Sequence, residues 1–199
     1  MPEKGVMVHS LKEASLYLML VRCSACADVV VPTSVAGQPD AGSVLEVPVA
    51  CRSCGRADRV RLDLSRVDPA EAAMGLAGWA ELAQAGNAPP INRTGRVSRA
   101  IDVAGWLTLH KMLSANAKAR AEQAVSLADR TVARQLQLQA GECIEEALKF
   151  YDADNDLPPE DAFFTEEGRR QFREQPDLFL RSRLVSLRVS SMVKKSYEV

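Results

Sequence analysis

The sequence predicts an α+β protein in which a small, three-stranded, metal-stabilised head packs on a mostly α-helical domain. Three observations support this prediction. Two Cys-x-x-Cys pairs lie among short runs of β-branched and alternating apolar residues, apolar residues recur at helical spacing from Asp102 onward, and a helix-start signal marks a change of character at Asp68. We therefore predict two domains, residues 1–67 and residues 68–199.

The composition limits the possible classes of function. Of the 199 residues, 47% are hydrophobic, which is enough for one good core and a satellite module. The formal net charge of −1 gives no overall attraction to nucleic acid or to an anionic membrane, so any such binding would be local. No stretch approaches the roughly 20 apolar residues of a membrane span. We predict a cytoplasmic protein without membrane contact.

A short helix is predicted to precede the cysteines. Residues Met1–His9 are typical of a loose leader, and Ser10 followed by Glu13 is typical of a capping box. The helix should extend from Leu11 to about Val21. Its apolar residues occur almost all round the helical wheel, so we expect this helix to be buried.

Three short strands are predicted around the cysteine pairs. They are Asp28–Val31, Ser43–Ala50 and Arg59–Leu64. β-branched residues indicate the first strand, and alternation of apolar and polar residues indicates the other two. Pro48 favours an edge position for the second strand, because proline has no N–H to donate to a neighbour. Residues Val35–Ser43 are predicted to form a turn-rich loop.

Four cysteines have the spacing of a closed metal site. They are Cys23 and Cys26 in the first pair and Cys51 and Cys54 in the second. Each pair presents two sulfurs from one tight turn, and two facing turns supply the four corners of the tetrahedron that Zn²⁺ takes in structural sites. Gly55 follows the second pair and tolerates the positive φ that such turns need, whereas Ala27 follows the first pair. In a head with few large apolar residues, the ion should supply folding free energy on the order of 10 kcal/mol.

Zinc is the predicted ion, and iron in a rubredoxin-like centre is the alternative because the ligand set is the same. The scarcity of aromatic residues near the thiols favours zinc. A thioredoxin-type redox pair needs one Cys-x-x-Cys at a helix N-terminus, which two pairs on strand-flanked turns do not match. Four thiolates leave no open coordination position for an activated water, so the site is predicted to be non-catalytic.

Arginines cluster near the second cysteine pair. They are Arg52, Arg56, Arg59, Arg61 and Arg66, with only Asp58 and Asp63 against them. This local basic surface could contact phosphates, and the alternative interpretation is a solvated strand face that discourages edge pairing. No aromatic residue lies among the arginines, so stacking on single-stranded bases has no support.

The remainder of the chain is predicted to be helical. Residues 68–71, Asp-Pro-Ala-Glu, are typical of a helix N-terminus, and this helix should end at Gly86. Two long amphipathic helices, Val103–Leu113 and Val125–Tyr151, should lie antiparallel. Shorter helices are predicted to follow Thr165 and to begin at Pro176.

No catalytic constellation is evident in the sequence. The chain contains no glycine-rich phosphate loop, nucleophile elbow or dinucleotide fingerprint. Cys143 lies on a helical packing stripe, and no histidine has a spacing that suggests pairing with it. His110 is predicted to be a half-buried packing residue. We therefore predict that the protein is not an enzyme.

The motifs Cys23-Ser-Ala-Cys26 and Cys51-Arg-Ser-Cys54-Gly55 resemble the knuckles of zinc-ribbon proteins, over about the first third of the chain. Such ribbons serve transcription factors, ribosomal proteins, enzyme subdomains and docking modules, so the resemblance implies a metal but no particular activity. A zinc-ribbon head with a helical tail is also similar to uncharacterised bacterial proteins.

The function that we expect is that of a non-enzymatic interaction protein, an adaptor or regulator with a protein partner. We expect its binding surface to form where the head and the helices meet. The alternative is a nucleic-acid-binding or transcription-related zinc-ribbon protein. Its predicted contact residues are four of the clustered arginines, Arg52, Arg56, Arg59 and Arg61.

Overall fold

The computed structural model divides the chain into two units, Met1–Ala100 and Ile101–Val199. The structure describes residues 5–34, 43–84, 90–92 and 95–193. These residues form six helices and one four-stranded sheet, which confirms the α+β class. Residues 35–42 of the loop predicted at Val35–Ser43 lie outside the described residues, and so does the helix end predicted at Gly86.

The first unit contains the sheet and two helices. Its elements are β1 (Val6–Met7), α1 (Leu11–Leu20), β2 (Val30–Pro32), β3 (Val44–Cys51), β4 (Ala57–Asp63) and α2 (Pro69–Gln84). The strand order is β1-β4-β3-β2, with β1 parallel to β4 and the other neighbours antiparallel. Every second residue of β3, from Leu45 to Cys51, is buried, so one face of the sheet forms the core of this unit.

The segment predicted to be a loose leader contains a fourth strand. β1 pairs in parallel with residues 62–63 of β4, and Val8 after it is fully buried. Gly5 lies so close to β4 that a Cβ atom at this position would be 2.9 Å from the backbone nitrogen of Asp63. A two-residue strand has no periodicity to detect, which is why the sequence indicated three strands and not four.

Pro48 lies in an interior strand, so the edge position predicted from this proline was wrong. In antiparallel strands the N–H and C=O of one residue face the same neighbour, and the Pro48 carbonyl accepts from Thr33 N of the β2 side at 2.9 Å. The last paired residue of β2 is Pro32, opposite Val49. Pro48 therefore lies opposite the residue just after β2. Because proline has no N–H, at most one hydrogen bond at the end of this strand pair is lost.

Helix α1 begins where the sequence predicted. Ser10 Oγ accepts a hydrogen bond from Glu13 N at 2.9 Å, and the Glu13 carboxylate accepts from His9 N at 2.5 Å. The arrangement is a capping box displaced by one residue, because the carboxylate binds the N–H before the cap. The helix buries an apolar set consisting of Leu11, Ala14, Leu16 and Leu18.

Helix α2 belongs to the first unit. The predicted cap is present, because Asp68 Oδ1 accepts from Ala70 N at 2.9 Å. In the first turn of α2, Glu71 Oε1 accepts from Leu11 N of α1 at 2.7 Å. This contact joins α2 to α1, and both helices belong to the unit Met1–Ala100. The helix is interrupted at Gly75, whose φ of 64° and ψ of 177° are not helical.

The second unit is helical. Its α-helices are α3 (Val103–Glu122), α4 (Leu127–Leu148), α5 (Glu166–Glu174) and α6 (Arg181–Val193), with 3₁₀ turns at Glu160–Ala162 and Pro176–Phe179. The short connection between α3 and α4 makes them antiparallel, as predicted. Pro176 starts a 3₁₀ turn and not the last helix, because Leu180 is extended. Within the described ranges, no helix combines the length and apolarity needed to cross a membrane.

Asp102 connects the starts of two helices. Its Oδ1 caps α3 by accepting from Gly105 N at 2.8 Å, and its Oδ2 accepts from the N and Oγ1 of Thr165 at 3.0 and 2.5 Å. Thr165 is itself the N-cap of α5. A Cβ atom on Gly168 would collide with the same carboxylate, which explains the glycine in the first turn of α5. Asp102 is only 1% exposed, so few water molecules can reach the donors that its carboxylate binds.

We expect Asp102→Ala to lower the free energy of unfolding of the second unit by about 2–4 kcal/mol, because the change removes a cap and leaves Gly105 N and the Thr165 donors without an acceptor. Ser126→Ala removes the exposed cap of α4 and is the matched control, with an expected loss of about 1 kcal/mol. Urea unfolding followed by far-UV circular dichroism measures both. Equal losses for the two variants would contradict the connecting role of Asp102.

Candidate metal centre

Two turns with the same backbone geometry carry the four cysteines. In the first knuckle, between α1 and β2, Ala27 N donates to Cys23 O at 2.8 Å. In the second knuckle, between β3 and β4, Gly55 N donates to Cys51 O at 3.1 Å. The residue pairs that close the two turns also correspond, because Arg22 opposes Val29 and Ala50 opposes Ala57. The two knuckles therefore repeat one structure at an offset of 28 residues.

The two knuckles bring the four sulfur atoms into one cluster. All four Sγ atoms lie within 4.8 Å of one another. The separations are 3.6 Å for Cys23–Cys54, 3.4 Å for Cys26–Cys51 and 3.6 Å for Cys26–Cys54. They are close to the edge of a tetrahedron with metal–sulfur bonds of 2.3 Å, which is about 3.8 Å. The four predicted cysteines could therefore hold one metal ion.

The first and second cysteines of each pair differ in exposure. Cys23 and Cys51 are 6% and 4% exposed, whereas Cys26 and Cys54 lie at the surface. The same division occurs in both knuckles because the turns share their geometry. The cluster thus has an inner side on the core of the unit and an outer side open to solvent.

The residue after each pair adopts a left-handed conformation. Gly55 has a φ of 70°, and Ala27 has a φ of 57°. This conformation points backbone N–H groups toward the sulfurs, as in known metal knuckles. Glycine adopts it freely, whereas for an L-residue such as Ala27 it costs about 1–2 kcal/mol. The first knuckle therefore stores strain that the second does not.

Backbone N–H groups stabilise the thiolate form of the inner cysteines. The N–H of Cys54 is the largest influence on Cys51 and lowers its pKa to about 6, although burial opposes the shift. The pKa of Cys23 is lowered in the same way, mainly by the N–H of Ala25. Two of the four sulfurs are thus favoured as anions, and thiolates are the form that binds metal.

The pKa of Cys26, the outer cysteine of the first knuckle, is shifted in the opposite direction. The N–H of Asp28 lowers the pKa of Cys26, but hydrogen bonds from its thiol to the sulfurs of Cys51 and Cys54 outweigh this effect and raise the pKa to about 12. These bonds favour the protonated form of Cys26. A cation at the centre of the cluster would take the place of this proton, so the donor set fits a positively charged ion.

A polar contact joins the two knuckles beside the sulfurs. Ser53 Oγ donates to Asp28 Oδ2, and this hydrogen bond holds the pKa of the Asp28 carboxyl below its usual range. Arg52 N also donates to Val29 O at 3.2 Å. We did not predict a role for Asp28 or Ser53 from the sequence, because their pairing is visible only once the turns are known to face each other.

The four predicted arginines do not share one environment. Arg59 Nη1 lies 3.0 Å from Glu46 Oε2, and Arg61 Nε lies 3.2 Å from Glu46 Oε1. Glu46 is directly opposite Arg61 in the β3–β4 register. Arg52 and Arg56 are exposed, and in the described part of the chain no carboxylate oxygen lies within 4.0 Å of their guanidinium nitrogens. One carboxylate thus neutralises part of the predicted basic surface.

The remaining candidate residues lie in the second unit. Cys143 is fully buried, and His110 Nδ1 lies 3.0 Å from the carbonyl oxygen of Ala140, so the ring donates this bond. Both lie on helices. Cys143 is buried as predicted, whereas His110, which we predicted to be half-buried, is only 8% exposed. Among the described residues, the four head cysteines are the only group of three or more His, Cys, Asp or Glu side chains close enough to hold a metal ion.

Comparisons with known protein families, with curated proteins and with solved structures find no match to this chain. The assignment of a metal centre therefore depends on the cysteine motifs and on the geometry of the two knuckles.

The two knuckles provide a matched pair of substitutions. We expect Gly55→Ala to lower the free energy of unfolding of the metal-loaded first unit by about 1–2 kcal/mol, because only glycine adopts its φ without cost. A Cβ atom at this position meets nothing within 4 Å, so a clash cannot cause the loss. Ala27→Gly should stabilise the unit by up to about 1 kcal/mol, since it relieves strain but also frees the unfolded chain. Chemical unfolding measures both, and changes of the same sign would contradict the shared geometry.

Proposed function

We propose that the first unit is a zinc-ribbon module and that the protein is a non-enzymatic adaptor or regulator that binds a protein partner in the cytoplasm. The observation that carries the proposal is the cluster of four sulfurs held by two equivalent knuckles on a small sheet. Ribbons of this kind are rigid scaffolds, and such scaffolds commonly present a binding surface.

Zinc is the metal that the cluster fits best. Four thiolates at tetrahedral spacing suit both zinc and iron. The outer sulfurs of Cys26 and Cys54 face solvent, where an iron centre would be open to oxidants. Zinc has no redox chemistry and takes four thiolates in structural sites. Free thiols in this number also suit a reducing compartment such as the cytoplasm.

A closed zinc site supplies folding free energy and no reaction. With four protein ligands the ion keeps no position for a water or a substrate, so it can neither generate hydroxide nor polarise a carbonyl. The ion instead joins the two knuckles across a small sheet and holds their outer residues in place. A fixed surface next to the cluster is what an interaction protein requires.

The metal proposal predicts one zinc ion per chain in the purified protein, measured by elemental analysis. Cys51→Ser should lose the ion, whereas Cys143→Ala, in the second unit, should retain it and serves as the control. A strong chelator should open the first unit to proteolysis while the helical signal of the second unit persists, because the ion supplies folding energy to the first unit. One iron per chain would replace zinc in the proposal, and a folded chelator-resistant first unit without metal would refute it.

The adaptor proposal predicts that a protein partner co-purifies with the full chain under gentle conditions in about one-to-one ratio. Quantitative mass spectrometry should find this partner with the wild type and with Cys143→Ala. The partner should be absent with Cys51→Ser, because the binding surface depends on the ion. A chain that is recovered alone in every preparation, with zinc bound, would contradict the proposed function but not the metal site.

Nucleic-acid binding is the second candidate function. The observation that favours it is the exposure of Arg52 and Arg56 at the second knuckle, where no carboxylate oxygen of the described residues lies within 4.0 Å of either guanidinium group. It ranks second because Glu46 engages Arg59 and Arg61, and because the net charge of −1 provides no long-range attraction to phosphates.

A further inference from the structure

A cleft within the first unit lies directly beside the metal centre. Three arginines, one aspartate and four valines are among its lining residues, and Cys23 forms part of its wall. The arginines are Arg22, Arg56 and Arg59, and the aspartate is Asp58. The cleft therefore combines cationic groups with apolar, β-branched walls.

Backbone pairing at the knuckles fixes the main chain of two of these arginines. Arg22 precedes Cys23 and pairs with Val29, and the carbonyl of Arg56 accepts from Cys51 N at 2.9 Å. Within the described ranges, neither guanidinium has a carboxylate oxygen within 4.0 Å. Two positively charged groups thus lie beside the cluster without an ion-pair partner on the described part of the chain.

The other charged groups of the cleft already have partners. Arg59 forms the ion pair with Glu46, and its side chain is 71% exposed. Asp58 Oδ1 accepts from the backbone N–H of Arg59 at 2.8 Å, which fixes the carboxylate but leaves its negative charge in the cleft. Asp28, whose carboxylate is bound to Ser53, lies close enough to Arg22 for the two charges to attract each other. The attraction for an anion therefore comes mainly from Arg22 and Arg56, and the charge of Asp58 reduces it.

The size of the cleft limits what can occupy it. Its volume is about 110 Å³, well below the roughly 300–1,000 Å³ of pockets that hold nucleotides or drug-sized ligands. One side chain fits such a space. The walls include Val30 and Val49, which are buried and offer contact to methylene groups. An occupant with an aliphatic stem and an anionic end matches both features.

We propose that this cleft binds the side chain of a glutamate or aspartate in an acidic segment of a protein partner. The proposal rests on the adaptor function proposed above and names the chemistry of the partner. Arginine binds carboxylates through paired, charge-assisted hydrogen bonds, and apolar surroundings strengthen such bonds relative to water. A phosphodiester would leave the valine walls unused, and no aromatic side chain lines the cleft to stack on a base.

The test is an NMR titration of the ¹⁵N-labelled, zinc-loaded full chain with a hexapeptide of alternating valine and glutamate. We expect saturable shifts of the Arg22 and Arg56 Nε–H resonances and of amides close to the cleft. The control peptide has glutamine in place of each glutamate and should bind at least about tenfold more weakly, because it lacks the charge-assisted bonds.

Two variants with the same change of charge locate the site. Arg56→Gln should weaken binding of the acidic peptide about tenfold or more, since it removes one charge-assisted contact. Arg66→Gln changes an exposed arginine that does not line the cleft, and the affinity should remain within about twofold. The zinc content of each variant shows whether the metal centre is intact.

Three outcomes would overturn this inference. The first is the absence of saturable shifts with the acidic peptide while zinc and fold are retained, which leaves the metal module standing. The second is tighter binding of a 20-base-pair DNA duplex at the same arginines in about 0.15 M salt, which would support nucleic-acid binding instead. The third is equal weakening by Arg56→Gln and Arg66→Gln, which would indicate non-specific attraction. Loss of zinc from the wild type would refute the proposed metal module itself.

Discussion

The close approach of four sulfurs from two knuckles is the constraint on which the first unit depends. The backbone favours thiolates at Cys23 and Cys51, whereas hydrogen bonds to neighbouring sulfurs keep Cys26 protonated. A bound cation would replace that proton and attract all four sulfurs toward one point, which would fix the two knuckles relative to each other. The short sheet needs such a constraint, because β1 contains two residues and β2 contains three. In this unit, the positions of the four sulfurs, their protonation and the packing of the short strands therefore depend on one another.

Features that depend on neighbours in the sequence could be predicted from it. The cysteine spacing, the positive φ of Gly55 and the caps at Ser10, Asp68 and Thr165 are properties of four to six consecutive residues, and the structure has all of them. Features that depend on distant partners could not be predicted. The pairing of β1 with β4 joins residues more than 50 positions apart, and the interior place of Pro48 depends on where β2 ends.

The candidate site shows the same distinction between local and distant information. Two local motifs indicate the four candidate ligand residues, yet the bond between Asp28 and Ser53 requires the two knuckles to face each other. The arginines were identified as one basic cluster, but Glu46 on the neighbouring strand engages two of them. Likewise, the sequence marked the start of α2 correctly but gave no sign of its bond to Leu11, 60 residues away. These contacts depend on strand register and on helix packing, and neither can be read from the spacing of residues in the sequence.

The unequal exposure of the four thiols affects how a metal ion would enter and leave. A competing ligand in solution can reach Cys26 and Cys54, whereas Cys23 and Cys51 are shielded by the core. Exchange would therefore start at the outer pair and pass through a species in which the inner pair alone retains the ion. A thiol-rich donor or acceptor of metal would therefore meet Cys26 and Cys54 first.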